Sequence, residues 1–458
     1  MRNQGGIPMK LKINFLISLL ITLLFVLSFT GCDFTKDNNS SETKPSKENE
    51  FTSDASLSDN ADQKSSSDAN SSDSFIEEPI THSTVSFLAC PDNLIHPCIY
   101  YDAIERAAQN NNTEPTYKDL HNAQYDFSPI YKNVKDIIAE ADIAYLNQES
   151  LIGGSSGSVY GYPCFNTPNA MGETVVDVGF DIINVAHNHM LDSGNTNYLT
   201  HCNDFFESRD VDVLGCYPNA ESTNNIKIIE KNGIKIAFLT YTYSTNGITL
   251  DSKNPFVVPF FDEELIRKQV QIAKENSDFI IASCHWGNEN THTLNSFQKN
   301  QAEFLCELDV DLILGMHPHC IQPMEWKTSP TGKKILVVYS LGNFVSGMDR
   351  GINNLGCMLS LDIKKDLQTN EVTIAEPQVI PFVNHYTKAE KVANDDKGYR
   401  NYEVYLLKDY TEELAKIHGA HSYEAQNGTT LEGGAFSKQN LLNTFYKYIP
   451  AEFYYPIS

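Results

Sequence analysis

The stretch Val310-Asp311-Leu312-Ile313-Leu314-Gly315-Met316-His317-Pro318-His319 ends an apolar, strand-like run in two histidines separated by one proline. Neutral imidazole is the commonest side-chain ligand of transition metals, and proline stiffens the turn so that both rings are presented from one loop. Alone, such a pair is most often two solvated or hydrogen-bonded side chains. Two other segments repeat it, however. The run 278–284 ends in His285-Trp286-Gly287, and the run 181–186 ends in His187-Asn188-His189. Three strand ends thus carry five histidines. In open α/β sheets ligands gather outside the carboxyl ends of strands, where residues distant in sequence converge, so the pattern points to a metal centre.

Positioning these residues requires strands with helices between them. Short β-branched runs predict strands over 84–89, 143–146, 181–186, 234–241, 278–283, 310–314 and 335–339. Asp262 reads as an N-cap ahead of an apolar face of Ile266, Val270 and Ala273, and Asn295 as another ahead of Phe297, Phe304, Leu305 and Leu308. The alternation predicts an α/β fold. Gly153–Ser158 lacks the lysine and glycine spacing of a P-loop and reads as a flexible loop. No repeat of solenoid length is visible.

Arg2, Lys10 and Lys12 precede an apolar core from about Ile13 to Phe29, followed by Gly31-Cys32. Residues 1–32 therefore read as an export signal of lipoprotein type, Cys32 being the lipidated residue, or as an uncleaved anchor. Residues 33–79 are rich in Ser, Asp, Asn and Lys and poor in aliphatics, the composition of a disordered tether. The whole chain carries −25, of which +3 lies in the signal and −8 in the tether, leaving −20 for residues 80–458. Such acidity argues against nucleic acid as a partner, since that binding relies on Lys and Arg. The ten cysteines form no convincing framework. Several, including Cys90, Cys284 and Cys357, sit in apolar runs and read as buried thiols, with a Cys90–Cys98 disulfide left open. The chain divides into 1–32, 33–79, a main domain over 80–383 and a C-terminal extension over 384–458.

Two more predicted strand ends carry polar residues: Asp92 and His96 follow the first, and Asn147 and Glu149 the second. Taken in order, Asp92 with His96, Asn147 with Glu149, Asn188-His189 before Asp192 and Gly194, His285-Trp286-Gly287, His317-Pro318-His319 and Ser340-Leu341-Gly342-Asn343-Phe344 resemble the CapA family of bacterial capsule or poly-γ-glutamate synthesis proteins, over roughly residues 83–383. The resemblance implies a branch of the calcineurin-like metallophosphatases and a two-sheet β-sandwich flanked by helices, in four layers α/β/β/α. It implies two divalent ions, with Asp92, His96 and His319 at one, Asn188, His285 and His317 at the other, and Glu149 bridging. His189 takes the role of the catalytic histidine, and Asn147, Asp192 and Asn343 support the site. The sequence departs from the family pattern at Pro91, where Gly is common, and at His187, where Asn is frequent. It also spaces Asp92 and His96 four apart where metallophosphatases commonly space them by two.

The chemistry implied is hydrolysis of a phosphate ester at two metals (Mn, Fe or Zn), by a lipid-anchored protein on the outer face of the cytoplasmic membrane. Its partners are then cell-envelope polymer or a phosphate ester, the membrane through Cys32, and capsule-synthesis membrane proteins. A second reading is a polymer-binding or membrane-assembly factor that hydrolyses nothing. A third makes the histidines structural remnants of a metal-binding ancestor.

Overall fold

Val85, Phe87 and Ala89 on the first strand belong to one apolar core, and Leu88 and Cys90 between them to another. This period-two division organises the computed structural model, which describes residues 81–395 and 397–456. The signal, the tether and Cys32 lie outside the described residues. In chain order the strands are β1 (His82–Leu94), β2 (Ile143–Asn147), β3 (Ile182–Asn184), β4 (Asp212–Leu214), β5 (Lys227–Lys231), β6 (Ile234–Thr242) and β7 (Phe279–His285). They continue as β8 (Leu312–Met316), β9 (Met324–Thr328), β10 (Lys334–Val338), β11 (Asn343–Ser346), β12 (Leu355–Asp366), β13 (Val372–Lys388) and β14 (Tyr399–Leu406).

One sheet has the order β14-β13-β12-β1-β2-β3-β4, with β11 beside β1, and the other β5-β6-β7-β8-β10-β9. β1 to β4 pair in parallel, as do β6, β7, β8 and β10. Side chains alternate between the shared core and the outer faces throughout. Phe279 and Ile281 face the shared core while Ile280 and Ala282 face outward; Leu312 and Leu314 face inward while Ile313 faces outward. Helices α1 (Pro97–Asn111), α2 (Asn169–Val178) and α3 (Asn197–Glu207) cover the first sheet. Helices α4 (Glu263–Asn276) and α5 (Ser296–Glu307) cover the second. The result is the expected four-layer sandwich.

All seven predicted strands form, within a few residues of their predicted limits. Asp262 caps α4 by accepting from Leu265 N, and Asn295 forms a capping box with Gln298 on α5. The expected face of α5 is rotated by about one residue. Ala302, Leu305 and Cys306 are buried, whereas Phe297 is 37% exposed and packs edge-on against Phe261 at 5.2 Å.

The separation at residue 383 is corrected by the structure. β13 runs through it, β14 extends the same sheet, and Phe436, Leu441, Phe445, Ile449 and Phe453 fill the core between the sheets. The described residues form one compact unit. No disulfide forms among the described cysteines: Cys90 is buried, and Cys98 Sγ lies 3.0 Å from Tyr402 Oη. No helix among the described residues is long and apolar enough to cross a membrane.

Candidate metal centre

The carboxyl ends of β1, β2, β3, β7 and β8 bring the chemistry-bearing side chains to one place. At β1, pairing slips between Cys90 and Asp92 toward β2 and between Asp92 and Asn93 toward β11. Such irregularities re-aim a side chain beside a functional site, and Pro91, which lacks an N–H, sits in this one. Asp92 is fully buried. Its Oδ1 accepts from Asn147 Nδ2 at 2.7 Å and its Oδ2 from His317 N at 3.1 Å. Asn184 extends the chain, donating to Asn147 Oδ1 at 2.7 Å and accepting from Thr240 Oγ1 at 2.6 Å.

The His-Pro-His turn is strained. His317 has φ 98° and His319 φ 57°, in the left-handed half of the map, an arrangement that costs on the order of 1–3 kcal/mol per residue and persists only where surroundings enforce it. The enforcing contacts are visible. Asp92 holds the His317 amide, and Asn343 Nδ2 and Asn353 Nδ2 reach the His319 carbonyl at 3.4 and 2.9 Å. Gly315 just before the turn has no room for a side chain, since a Cβ there would meet Tyr339 O at 2.1 Å.

Glu149 lies at the focus. Its Oε1 is 3.4 Å from His285 Nε2 and its Oε2 is 3.6 Å from His319 Nδ1. The residue is fully buried, and no described group donates a hydrogen bond to either oxygen. His319 Nδ1 also lies 3.4 Å from Asp92 Oδ2 and 2.9 Å from Asn343 Oδ1. On the other side His285 Nε2 meets Asn188 Oδ1 at 2.8 Å, and the His285 and His317 rings are 4.8 Å apart. His317 Nε2 meets Tyr243 Oη at 3.0 Å, while His317 Nδ1 and His285 Nδ1 are buried without partners among the described residues.

Charge reinforces the picture. Burial, and then Glu149, push the Asp92 carboxyl above its usual range, and burial does the same to Glu149. Burial opposes a charged His319, yet Glu149 and Asp92 beside it hold its imidazole up to about 10. Burial keeps His285 down at about 3 and His317 well below the ordinary imidazole value. Two acids, one compensating imidazolium and orphaned lone pairs make a site suited to a divalent cation, since buried charge is costly unless paired or metal-bound. Imidazole, carboxylate and amide oxygen also suit such an ion chemically. Among the described residues, Glu149, His317 and His319 form a three-ligand grouping whose donor atoms all lie within 4.8 Å of one another.

The remaining expected residues sit around this focus. His189 Nδ1 meets Asp192 Oδ2 at 2.8 Å, the same oxygen accepting from Phe165 N at 2.7 Å. His96 stands at the edge instead. Its Nδ1 faces Leu94 O and Gly347 N, each at 3.1 Å, and its ring packs on Phe165 at 5.3 Å, which packs in turn on His189 at 4.8 Å. His187 is buried, its Nδ1 accepting from His189 N at 3.2 Å. Tyr243, Asn246, Asn184 and Asn353 join the site without any sequence expectation. Asn184, two residues before the end of the predicted strand 181–186, carried a usable signal; Tyr243 and Asn246 did not.

A family model described as bacterial capsule synthesis protein PGA_cap matches residues 89–348, which contain Asp92, Glu149, Asn188, His285, His317 and His319. The chain belongs to that family. The PGA biosynthesis protein CapA of Bacillus subtilis (strain 168) is 30% identical over 171 residues, 37% of this chain and 43% of that protein. The capsule biosynthesis protein CapA of Bacillus anthracis is 29% identical over 177 residues, 38% and 42% of the respective chains. The matched stretch thus spans less than half the length of these relatives. Among solved structures, a Mycoplasma pneumoniae phosphatase aligns with TM-score 0.36 and 14% identity, covering 66% of this chain and 94% of its own. Haemophilus influenzae NAD nucleotidase aligns with TM-score 0.38 and 12% identity, covering 80% and 67%. Similarity at that level carries no weight for function.

Proposed function

We propose that this PGA_cap family member is an exported, lipid-anchored envelope protein that hydrolyses a phosphate ester with metals held at the Glu149 focus. The observation that carries the reading is the buried Glu149 carboxylate, one oxygen turned to His285 and the other to His319, with no hydrogen-bond donor on either. Asp92 and His319 would hold one ion, with Asn343 Oδ1 at hand, and Asn188, His285 and His317 another, Glu149 bridging them. When bound, such ions lower the pKa of water and offset charge on phosphoryl oxygens.

The chain's own groups supply the rest. Asp192 accepts only, so His189 Nδ1 carries the proton toward it and Nε2 is left to hold or deliver one. Water loses a proton to solvent as its oxygen bonds to phosphorus, the ester P–O bond breaks, His189 gives its Nε2 proton to the departing alkoxide, and solvent then reprotonates His189. Export and anchoring rest on residues 1–32, with Cys32 as the lipidated position on the outer face of the cytoplasmic membrane.

Elemental analysis of purified protein tests the reading. About two equivalents of Mn, Fe or Zn are expected, reduced in Asp92→Ala and His285→Ala variants, with turnover of some member of a phosphomonoester and diester panel. Metal-loaded protein that is inert across the panel refutes hydrolysis. The relatives' names concern synthesis of capsule material, which favours a second reading: a polymer-binding or assembly factor. Full restoration of surface polymer in a deletion strain by a His189→Ala plus His317→Ala variant would establish it instead.

A further inference from the structure

A cavity of about 570 Å³ adjoins the focus, with His96, Tyr162, Glu289, Arg350, Asn353 and Lys397 among its walls. It shares its scaffold with the metal centre. Asn353 Nδ2 donates to His319 O and to Asn290 Oδ1, each at 2.9 Å, and the His96 ring that lines the cavity also packs on Phe165 beside His189. Tyr162 is 76% exposed and offers a flat aromatic wall.

The two cations of this cavity differ in what occupies them. Lys397 Nζ is committed to Gly347 O at 2.9 Å and Asp349 Oδ2 at 3.2 Å, which clamps the 347–349 turn. The Arg350 guanidinium makes no hydrogen bond or ion pair among the described residues; the Tyr423 ring, 5.9 Å away, is its one aromatic neighbour. In a chain with 59 acidic and 34 basic residues, an arginine left without a carboxylate in a concave, half-buried position invites an external anion.

The backbone beneath that side chain is rigid. Asn353 N and Asn354 Nδ2 both donate to Arg350 O at 3.0 Å, and Ile352 N donates to Thr430 Oγ1 at 3.2 Å. The backbone anchors the side chain, and its planar, uncommitted guanidinium fork matches a carboxylate or phosphate in bidentate fashion. Residue 350 also lies just beyond the matched family region, which ends at 348.

We propose that Arg350 is the residue that binds an anionic group of the substrate, phosphate or carboxylate, in the cavity beside the Glu149 focus, with Tyr162 as an aromatic wall of the same cavity. The proposal rests on the reading of that focus as the reaction centre. The test titrates inorganic phosphate and, separately, a short glutamate oligomer into the full-length protein and its Arg350→Gln, Arg350→Lys and Arg267→Gln variants by calorimetry. Metal content is measured on every sample.

Arg350→Gln is expected to weaken binding of one probe or both by roughly 10- to 100-fold, with metal content equal to wild type. Arg350→Lys should recover part of the loss, and Arg267→Gln, on the solvent side of α4, should change nothing. Loss confined to phosphate identifies a phosphoryl group, and loss confined to the oligomer a carboxylate. Unchanged binding in Arg350→Gln with intact metal content overturns the proposal, as does wild-type protein that binds neither probe. Wild-type protein without metal overturns the reading of the centre instead, while the comparison at Arg350 still decides the anion site.

Discussion

Glu149→Gln keeps the shape of the side chain at the focus and removes its charge, which separates a cation site from a satisfied core. In the metal-free protein the carboxylate is fully buried, lacks a hydrogen-bond donor on both oxygens and raises Asp92 beside it. An unsatisfied buried polar group costs about 1–3 kcal/mol, and a charged one more, while His319 at 3.6 Å offsets part of that. Neutralisation should therefore stabilise metal-free protein by about 1–3 kcal/mol. With an unfolding entropy of about 2 cal/mol/K per residue, a folded unit of this size should gain about 1–4 °C in Tm. Metal reverses the sign. An ion at 100 times its Kd stabilises by about 2.7 kcal/mol, or roughly 3 °C here, and the variant should lose most of this gain. Differential scanning fluorimetry of chelator-treated protein, with and without graded Mn or Zn, reads both effects. A metal-free variant less stable than wild type, with its metal-induced shift intact, would refute the reasoning.

Asp192→Asn should lower turnover by about 10²- to 10⁴-fold while leaving metal content unchanged, because it disturbs His189 and not the proposed ligands; a matching fall in metal content would assign Asp192 a structural role. His385 is held down to about 4 by burial and His418 well below its ordinary value, again by burial first. Both stay neutral when folded, whereas the unfolded chain takes up protons near pH 6.5. Stability contributed by this pair is thus complete above pH 6.5 and falls as pH drops toward 4, by up to about 1.4 kcal/mol per pH unit for each histidine. His385→Gln should flatten that slope in urea midpoints measured at pH 6.5, 5.5 and 4.5, and parallel slopes would count against it. Gly315→Ala should destabilise by about 2–4 kcal/mol, since its Cβ would press on Tyr339 O and on Trp286 Nε1, 2.5 Å away, and part the Trp286–Tyr339 hydrogen bond of 3.0 Å. Near wild-type expression and denaturation midpoint would show that β10 yields more easily than the packing implies.

The identity of the site was legible in the sequence because its residues follow strands directly. Strands deliver the residues at and just beyond their ends to a fixed edge, so the histidines after the runs 181–186, 278–284 and 310–314 could be grouped from short apolar runs, whereas Glu149 and Asn188 were placed among the ligands by the family resemblance. Strand existence was legible for the same reason, and capping residues such as Asp262 and Asn295 act through their nearest backbone neighbours. The two-sheet arrangement was not. A strand buried on both faces reads as a continuous apolar run, and nothing in Phe279-Ile280-Ile281-Ala282 says that alternate residues enter different cores.

What only tertiary structure decided depends on the sum of many weak packing terms. The C-terminal segment looked separable because its apolar residues are sparse and Tyr-rich, yet Phe436, Leu441 and Phe445 complete the core between the sheets. His96 shares a sequence block with Asp92, but the turn from β1 into α1 carries its ring to Phe165 and the cavity rim. Tyr243 reaches His317 from 74 positions away, and Asp349 pairs with Lys397 while the adjoining Arg350 makes no ion pair among the described residues. Spacing along one strand end determines which groups arrive at the edge. Which of them face a common point is decided by the register and twist of two sheets packed against each other, and that information is spread over the whole chain.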